Sequence, residues 1–419
     1  MSRKAVGVDC DPVAVTVTRA KTGRYNGSAL RKSAKRVLTA AARYERPSEE
    51  YELRKFTDVT DEEYQAQLKR IRTYVPEIPN LLHWFRRYVV VDLARLRRAI
   101  DRAEIPTSHR RFFQVVFASI IRNASNADPV PVSGLEVTSW MKKREEAGRI
   151  VNPFALFAQA LARALDSTSE FSQSGEGRAK AILGDSTQLG EFLHEKIDAV
   201  ISSPPYHGAV DYYRRHTLEM YWLGHTRSQD DRLALRDQYI GQLVVKQGHR
   251  FVANAILKTA LASRWERRIR KVSPERADSF HHYLVAMRHV FRALAKKLPA
   301  GAPAVLVVGH SAWNSVRIPT TALFAEIAGK AFRLDEVLYY PVRNRYMSYS
   351  RHNGADISTE YVLVFRRAGR GPSAYRAAQP GTSPGTRISP RSANPDSATR
   401  AGSGPSRQTS LGSLRHPSA

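Results

Sequence analysis

Asp198-Ala199-Val200-Ile201-Ser202-Ser203-Pro204-Pro205-Tyr206 is the stretch on which the reading of this 419-residue chain turns. Its first five residues form a short apolar run of the kind that makes a buried parallel strand. Two prolines then end the strand, because neither has an N–H to continue a ladder. A hydroxyl, two rigid rings and an aromatic at a strand's carboxyl end make a stiff lip, and open α/β sheets keep their sites at that end.

Working outward, the pattern around this lip alternates strand and helix. Lys180-Ala181-Ile182-Leu183 reads as a strand ending in Gly184-Asp185. A helical stretch follows from Tyr212 to Leu223. Residues 278–297 carry Tyr283, Met287, Val290, Phe291 and Leu294 on one helical stripe, closed by Pro299 and Gly301. Ala304 to Gly309 reads as another buried strand, Thr320 to Lys330 as a helix, and Glu336–Tyr340 and Glu360–Phe365 as a final antiparallel edge pair. Helices between buried strands predict an α/β sandwich with a largely parallel sheet. At the N-terminus, Lys4 to Val8 is a strand ending at Asp9. Asp11 stands where an N-cap belongs and Pro12 at the first helical position, so a helix runs from Val13 to Lys21.

Residues 25–175 differ. Val89, Leu93, Leu96 and Ile100 recur at helical spacing with Arg95, Arg97, Arg98 and Arg102 on other faces, and Phe113, Val116, Phe117 and Ile120 mark a second helix. We expect a mostly helical insertion. Residues 368–419 are Pro, Gly, Ser, Ala and Arg with almost no large apolar side chains, the composition of a disordered tail.

The formal net charge is +27. Beyond Arg367 the tail adds seven Arg against one Asp, which leaves +21 on the remainder. That excess points to a polyanionic partner, with a solvated basic surface as the alternative. The one cysteine, Cys10, excludes an internal disulfide framework and any cysteine-rich metal site. His216, His225, His281, His282 and His289 lack metal-ligand spacing and read as structural or solvated. No stretch resembles a signal peptide or a membrane span, so the expected compartment is the cytoplasm.

Three strand ends carry groups with a chemistry. An exocyclic base amine is a poor nucleophile because its lone pair is delocalised into the ring. Two acceptors against its N–H bonds free that lone pair. The Ser203 hydroxyl and the Pro204 carbonyl are such a pair, with Pro205 stiffening the turn and Tyr206 offering a π-face to a base turned out of its helix. Asp9 can accept from ribose hydroxyls and Asp185 from an adenine amine. Read alone, each is equally an ordinary turn or capping aspartate.

On these residues the chain resembles the S-adenosylmethionine-dependent DNA amino-methyltransferases, especially the N4-cytosine group with its Ser-Pro-Pro-Tyr tetrapeptide. Ala5 to Pro12 is similar to that family's acidic ribose-binding motif. The resemblance implies a Rossmann-like sheet and cofactor S-adenosylmethionine held by Asp9, Cys10, Asp185 and Ser186. It implies methyl transfer at Ser203, Pro204, Pro205 and Tyr206, and a DNA partner. The family's glycine-rich loop has no counterpart here, so the resemblance implies an N-terminally truncated enzyme, weak or inactive alone, with a separate loop-bearing fragment as a partner. The organisation expected is donor side at 1–24, helical insertion with candidate target recognition at 25–175, catalytic part at 176–367 and tail at 368–419. The basic, aromatic segment with Arg343, Arg345, Tyr346 and Arg351 is expected to contact nucleic acid. An adenine-N6 enzyme and a non-catalytic nucleic-acid-binding remnant stay open, as does RNA as substrate.

Overall fold

A computed structural model describes residues 3–130, 134–172, 178–208, 212–242, 245, 257, 259–313, 316–342 and 358–369. Strand β1 (Lys4–Asp9) leads into α1 (Pro12–Lys21). The Asp11 carboxylate accepts from the Val13 and Ala14 amides at 2.8 and 3.1 Å, the cap its position foretold. Eight helices follow: α2 (Gly27–Ala42), α3 (Ser48–Leu53), α4 (Asp61–Ile71), α5 (Leu81–Trp84), α6 (Arg87–Arg102), α7 (Thr107–Ala124), α8 (Ser139–Glu146) and α9 (Pro153–Ser172). Then come β2 (Arg178–Leu183), α10 (Leu189–Phe192), β3 (Val200–Ser202), α11 (Tyr212–Arg215), α12 (Thr217–Leu223), α13 (Gln229–Arg236) and α14 (Ala260–Arg270). Last are α15 (Pro274–Lys297), β4 (Pro303–Gly309), β5 (Ser311–Trp313), β6 (Val316–Ile318), α16 (Thr320–Ala328), β7 (Phe332–Pro341) and β8 (Thr359–Arg367).

The helices build a core around α6, whose Tyr88 to Leu93 are all sealed from solvent. That burial includes Asp92, which accepts from Arg46 Nε at 3.0 Å and Tyr51 Oη at 3.1 Å. Arg95, Arg97 and Arg98 of α6 are half-buried, while Arg102 is exposed. Arg97 lies 4.1 Å over the Tyr74 ring and donates to the Trp222 carbonyl at 2.7 Å. Trp222 of α12 inserts into this helical core, edge-on to Phe85 and Phe117.

The strands form separate sheets. β1 pairs with β2 in parallel, β5 with β6 antiparallel, and a four-stranded sheet has the order β3-β4-β8-β7. In that sheet only β3–β4 is parallel; β4–β8 and β8–β7 are antiparallel. The expected largely parallel sheet is therefore a mixed one among the described residues. A second correction concerns β3 itself. It is an edge strand, with Ile201 83% exposed, because β4 is its sole described partner and no described helix covers its outer flank. β1 is likewise exposed along most of its length. β4 is buried on one face only: Ala304, Leu306 and Val308 point onto α15 and α16, while Val305 and Val307 are half-buried. α15 begins four residues earlier than its apolar stripe, where Ser273 caps the Arg276 amide and Pro274 takes the first turn. α16 stops at Ala328 rather than Lys330, the chain tightening into a 3-10 turn at Gly329–Ala331. The expected tail lies outside the described residues from 370 onward. Among the described residues no helix is long and apolar enough to cross a membrane.

Candidate functional site

The lip after β3 is braced from behind. Pro204 is buried, and the Pro205 carbonyl accepts from Tyr283 Oη of α15 at 3.0 Å. The His207 carbonyl accepts from Ser311 Oγ at 2.8 Å, and His207 Nε2 lies 3.0 Å from Ser279 Oγ. Burial, aided by the Arg276 charge, pushes His207 down to about 4, so its imidazole is neutral. With its backbone held, Ser203 stays exposed, its hydroxyl making a long 3.4 Å bond to the Val307 carbonyl and a hydrogen bond with the Tyr206 phenol. Tyr206 is half-buried, and its phenol donates to Glu360 Oε1 at 2.9 Å. The other Glu360 oxygen takes the Tyr340 phenol. Burial raises the Tyr206 phenol well above its ordinary value; the Ser203 hydrogen bond opposes the rise and Glu360 adds to it.

At the end of β1, Asp9 accepts from the Asp11 amide at 2.8 Å. Asp9 is open to solvent on one side. The protein packed on its other flank, opposed by the Asp11 amide, raises its carboxyl above the ordinary value. The register pairing Asp9 with Leu183 carries Asp185 to the same end. There one Asp185 oxygen accepts from the Thr187 amide at 2.8 Å and its hydroxyl at 2.7 Å, capping the turn that holds half-buried Ser186. Cys10 lies between these groups. Burial and then the charges of Asp9, Asp11 and Asp185 drive its thiol far up, so it is not a thiolate. The structure thus gathers Asp9, Cys10, Asp185 and Ser186 at one strand end, and Asp185 also performs the capping role open to it from sequence.

Residues 239–242 join the two places. Tyr239 packs with Cys10 and Val13, while Gly241, at φ +90°, passes where a Cβ would lie 3.6 Å from Pro205 Cβ. The carboxyl ends of β1 and β3 are therefore neighbours, spanned by one short segment.

Sequence reading missed three groups here. The buried Asp11 carboxylate binds His216 Nδ1 at 2.6 Å, a contact across 205 residues. Burial would raise Asp11, but the His216 bond and charge outweigh it and hold the carboxyl low. Reciprocally, Asp11 outweighs burial and holds His216 high. Glu360 was hidden as a polar residue at the start of an apolar strand. His310, just past β4, stacks 4.5 Å from Tyr361 and accepts from the Thr320 amide at 3.1 Å. Burial and then Arg317 push it down to about 4. Arg343, Arg345, Tyr346 and Arg351 lie outside the described residues. A cavity of about 590 Å³ between α10 and the C-terminal half of α15 shares only the Thr187 turn with this site. Among the described residues no group of three or more His, Cys, Asp or Glu could hold a metal ion.

No family model matches the chain. No curated protein matches it either. Two solved structures are similar to parts of it. One is a provisional DNA modification methylase from Thermus thermophilus, 22% identical over 23% of this chain and 42% of that one, at a TM-score of 0.18. The other is TrmN from Thermus thermophilus, 12% identical over 52% of this chain and 41% of that one, at a TM-score of 0.21. The chain spans about two fifths of the length of each. Scores this low do not place two chains in one fold.

Proposed function

We propose that this chain is an S-adenosylmethionine-dependent DNA methyltransferase of Rossmann-like type acting on the N4 amine of cytosine. The single observation that carries the reading is the proximity of the acidic β1–β2 end to the Ser203-Pro204-Pro205-Tyr206 lip, bridged by residues 239–242.

The residues fit the nucleoside half of the donor. Asp9 supplies acceptors for ribose hydroxyls, Asp185 an acceptor for an adenine amine, and half-buried Cys10 and Ser186 flank them. When bound, S-adenosylmethionine supplies an electrophilic methyl group on a sulfonium. The rest falls to the chain. The exposed Ser203 oxygen and the Pro204 carbonyl accept the two N–H bonds of the target amine, which restores nucleophilic character to its nitrogen. The Pro205–Tyr283 bond keeps the pair fixed, so no reorganisation is needed as the new N–C bond forms. The amine then sheds a proton to water. Tyr206 stacks on the base, its ring held by the Glu360 bond.

Donor binding by this chain alone is expected to be weak. Among the described residues beside Asp9 no glycine-rich turn is available for the methionine end, and β1 and β3 each keep an open edge where a further parallel strand with such a turn would complete the sheet.

The test is incubation with duplex DNA and tritiated S-adenosylmethionine, followed by ultraviolet cross-linking and nucleoside mass spectrometry. Label on the protein and 4-methylcytosine absent from a Ser203→Ala control support the reading. 6-Methyladenine would move the target atom. Neither label nor methylated base, even at millimolar donor, would leave a nucleic-acid-binding protein without catalysis.

A further inference from the structure

Helix α2 carries its charge in an arrangement that its own energetics disfavour. From Pro12 to Tyr44 the chain has eight Lys or Arg and no Asp or Glu. Leu30, Ser33, Ala34, Val37 and Ala41 of α2 face the core. Arg31, Lys32, Lys35 and Arg36 are exposed on the other side. Arg31–Lys35 and Lys32–Arg36 are like-charged pairs one helical turn apart, each of which destabilises a helix. All four sit in the N-terminal two thirds of α2, and the Arg31 guanidinium folds back to 3.5 Å from where a Gly27 Cβ would lie. Arg36 donates to the Glu104 carbonyl at 2.7 Å, and among the described residues none of the four is paired with a carboxylate.

We propose that this face of α2 is a docking surface for the phosphate backbone of a nucleic-acid duplex, distinct from the site at the strand ends. Phosphates neutralise the like-charge pairs that the protein leaves uncompensated. A helix with four cations within six residues meets successive phosphates of one strand rather than a single small anion. The face is remote from the candidate site. Ser33 of α2 meets His109 near the start of α7, and Arg122 near its other end reaches the Arg215 carbonyl beside His216. Thirteen residues of helix separate those two contacts, about 20 Å at 1.5 Å per residue. The surface therefore positions a duplex without touching the reacting base. It shares a partner with the proposed methyl transfer but does not depend on it.

The experiment is a fluorescence anisotropy titration of the full chain with a labelled 30-base-pair duplex across a series of NaCl concentrations. Three proteins are compared with wild type. One carries Arg31→Ala, Lys32→Ala, Lys35→Ala and Arg36→Ala. A second removes the same charge from α14 and its C-terminal cap through Arg264→Ala, Arg267→Ala, Arg268→Ala and Lys271→Ala. The third is Ser203→Ala. Each phosphate contact contributes roughly 0.9 to the slope of log K against log salt, so the α2 variant is expected to lose about 3 to 4 of slope. Its thermal midpoint should hold or rise, since like-charge pairs are gone, whereas a structural role would lower it. An unchanged slope, an equal loss in the α14 variant, or no duplex binding by wild type would overturn the proposal. Unimpaired duplex binding by Ser203→Ala supports a surface that works apart from the lip, and it does so even if no methyl group is transferred.

Discussion

Replacing His216 with leucine removes the imidazole that pairs with the Asp11 carboxylate and leaves that carboxylate its bond from Tyr239. The contact is short, 2.6 Å, and joins a 4%-exposed aspartate to an imidazole whose side chain is 33% exposed. A hydrogen bond to a charged group contributes about 1.5–3 kcal/mol, and the solvent around the imidazole trims this to roughly 1–2 kcal/mol. The pH dependence follows from the two shifts. Asp11 is depressed, so its contribution is present above 3.8, the unfolded value, and is lost as pH falls through the folded one. His216 is raised, so its contribution is complete below 6.5 and is lost as pH rises through its folded value. The pair is strongest between about pH 4 and 6.5. Glu219 also favours the charged imidazole, while Arg215 opposes it. Thermal unfolding followed by circular dichroism should show His216→Leu lowered by several degrees at pH 5.5 and by progressively less as pH rises to 9, since the raised imidazole loses its charge in that direction. Equal deficits at both pH values would show that His216 acts by packing alone and refute the ion-pair reasoning.

Asp92→Ala should cost up to about 3–5 kcal/mol by urea titration, because buried Arg46 loses one of its two carboxylates and keeps only Glu50, while Arg95 loses its partner, and pairing Asp92→Leu with Arg46→Met should recover most of that loss. If the double variant is less stable than the single one, the cost lies elsewhere. Tyr206→Phe keeps the ring and sheds the phenol's bonds to Glu360 and Ser203, so methylated product should fall a few-fold. Tyr206→Ala removes about 1–3 kcal/mol of stacking and should cut it roughly ten- to a hundredfold; similar losses in both would assign the effect to the phenol. Ile201→Lys, at an 83%-exposed position on an edge strand, should leave the melting temperature unchanged and reduce concentration-dependent light scattering.

Local chemistry was legible in the chain, and partnership was not. Asp11 and Pro12 announce the start of α1, the Pro204-Pro205 pair announces the end of β3, and the stripe through Val89 and Ile100 announces α6, because each is decided within a turn or two of backbone. The exposure of β3 could not be read so. Val200-Ile201 has the composition of a buried strand, and only the absence of a second described neighbour makes it an edge. The same holds for the direction of β8, which turns the four-stranded sheet mixed. At the site, Ser203, Tyr206, Asp9 and Asp185 were visible as strand-end residues. Asp11–His216 and Tyr206–Glu360 were not, since they span 205 and 154 residues and no periodicity encodes them. The start of α15 was available in Ser273-Pro274, a cap and first-turn proline that the apolar stripe overshadowed.

Helix α12 acts as a tie-rod. One end follows His216, which grips the cap of α1, and the other drives Trp222 into the helical core, where Arg97 and Tyr74 hold the carbonyls of Trp222 and Tyr221. Swinging the helices away from the strand ends would extract a fully enclosed indole and break the Arg97 and Tyr74 bonds to two carbonyls at once. α12 thus ties the cap of α1 to the helical core, so a substitution at either end of it is felt at the other.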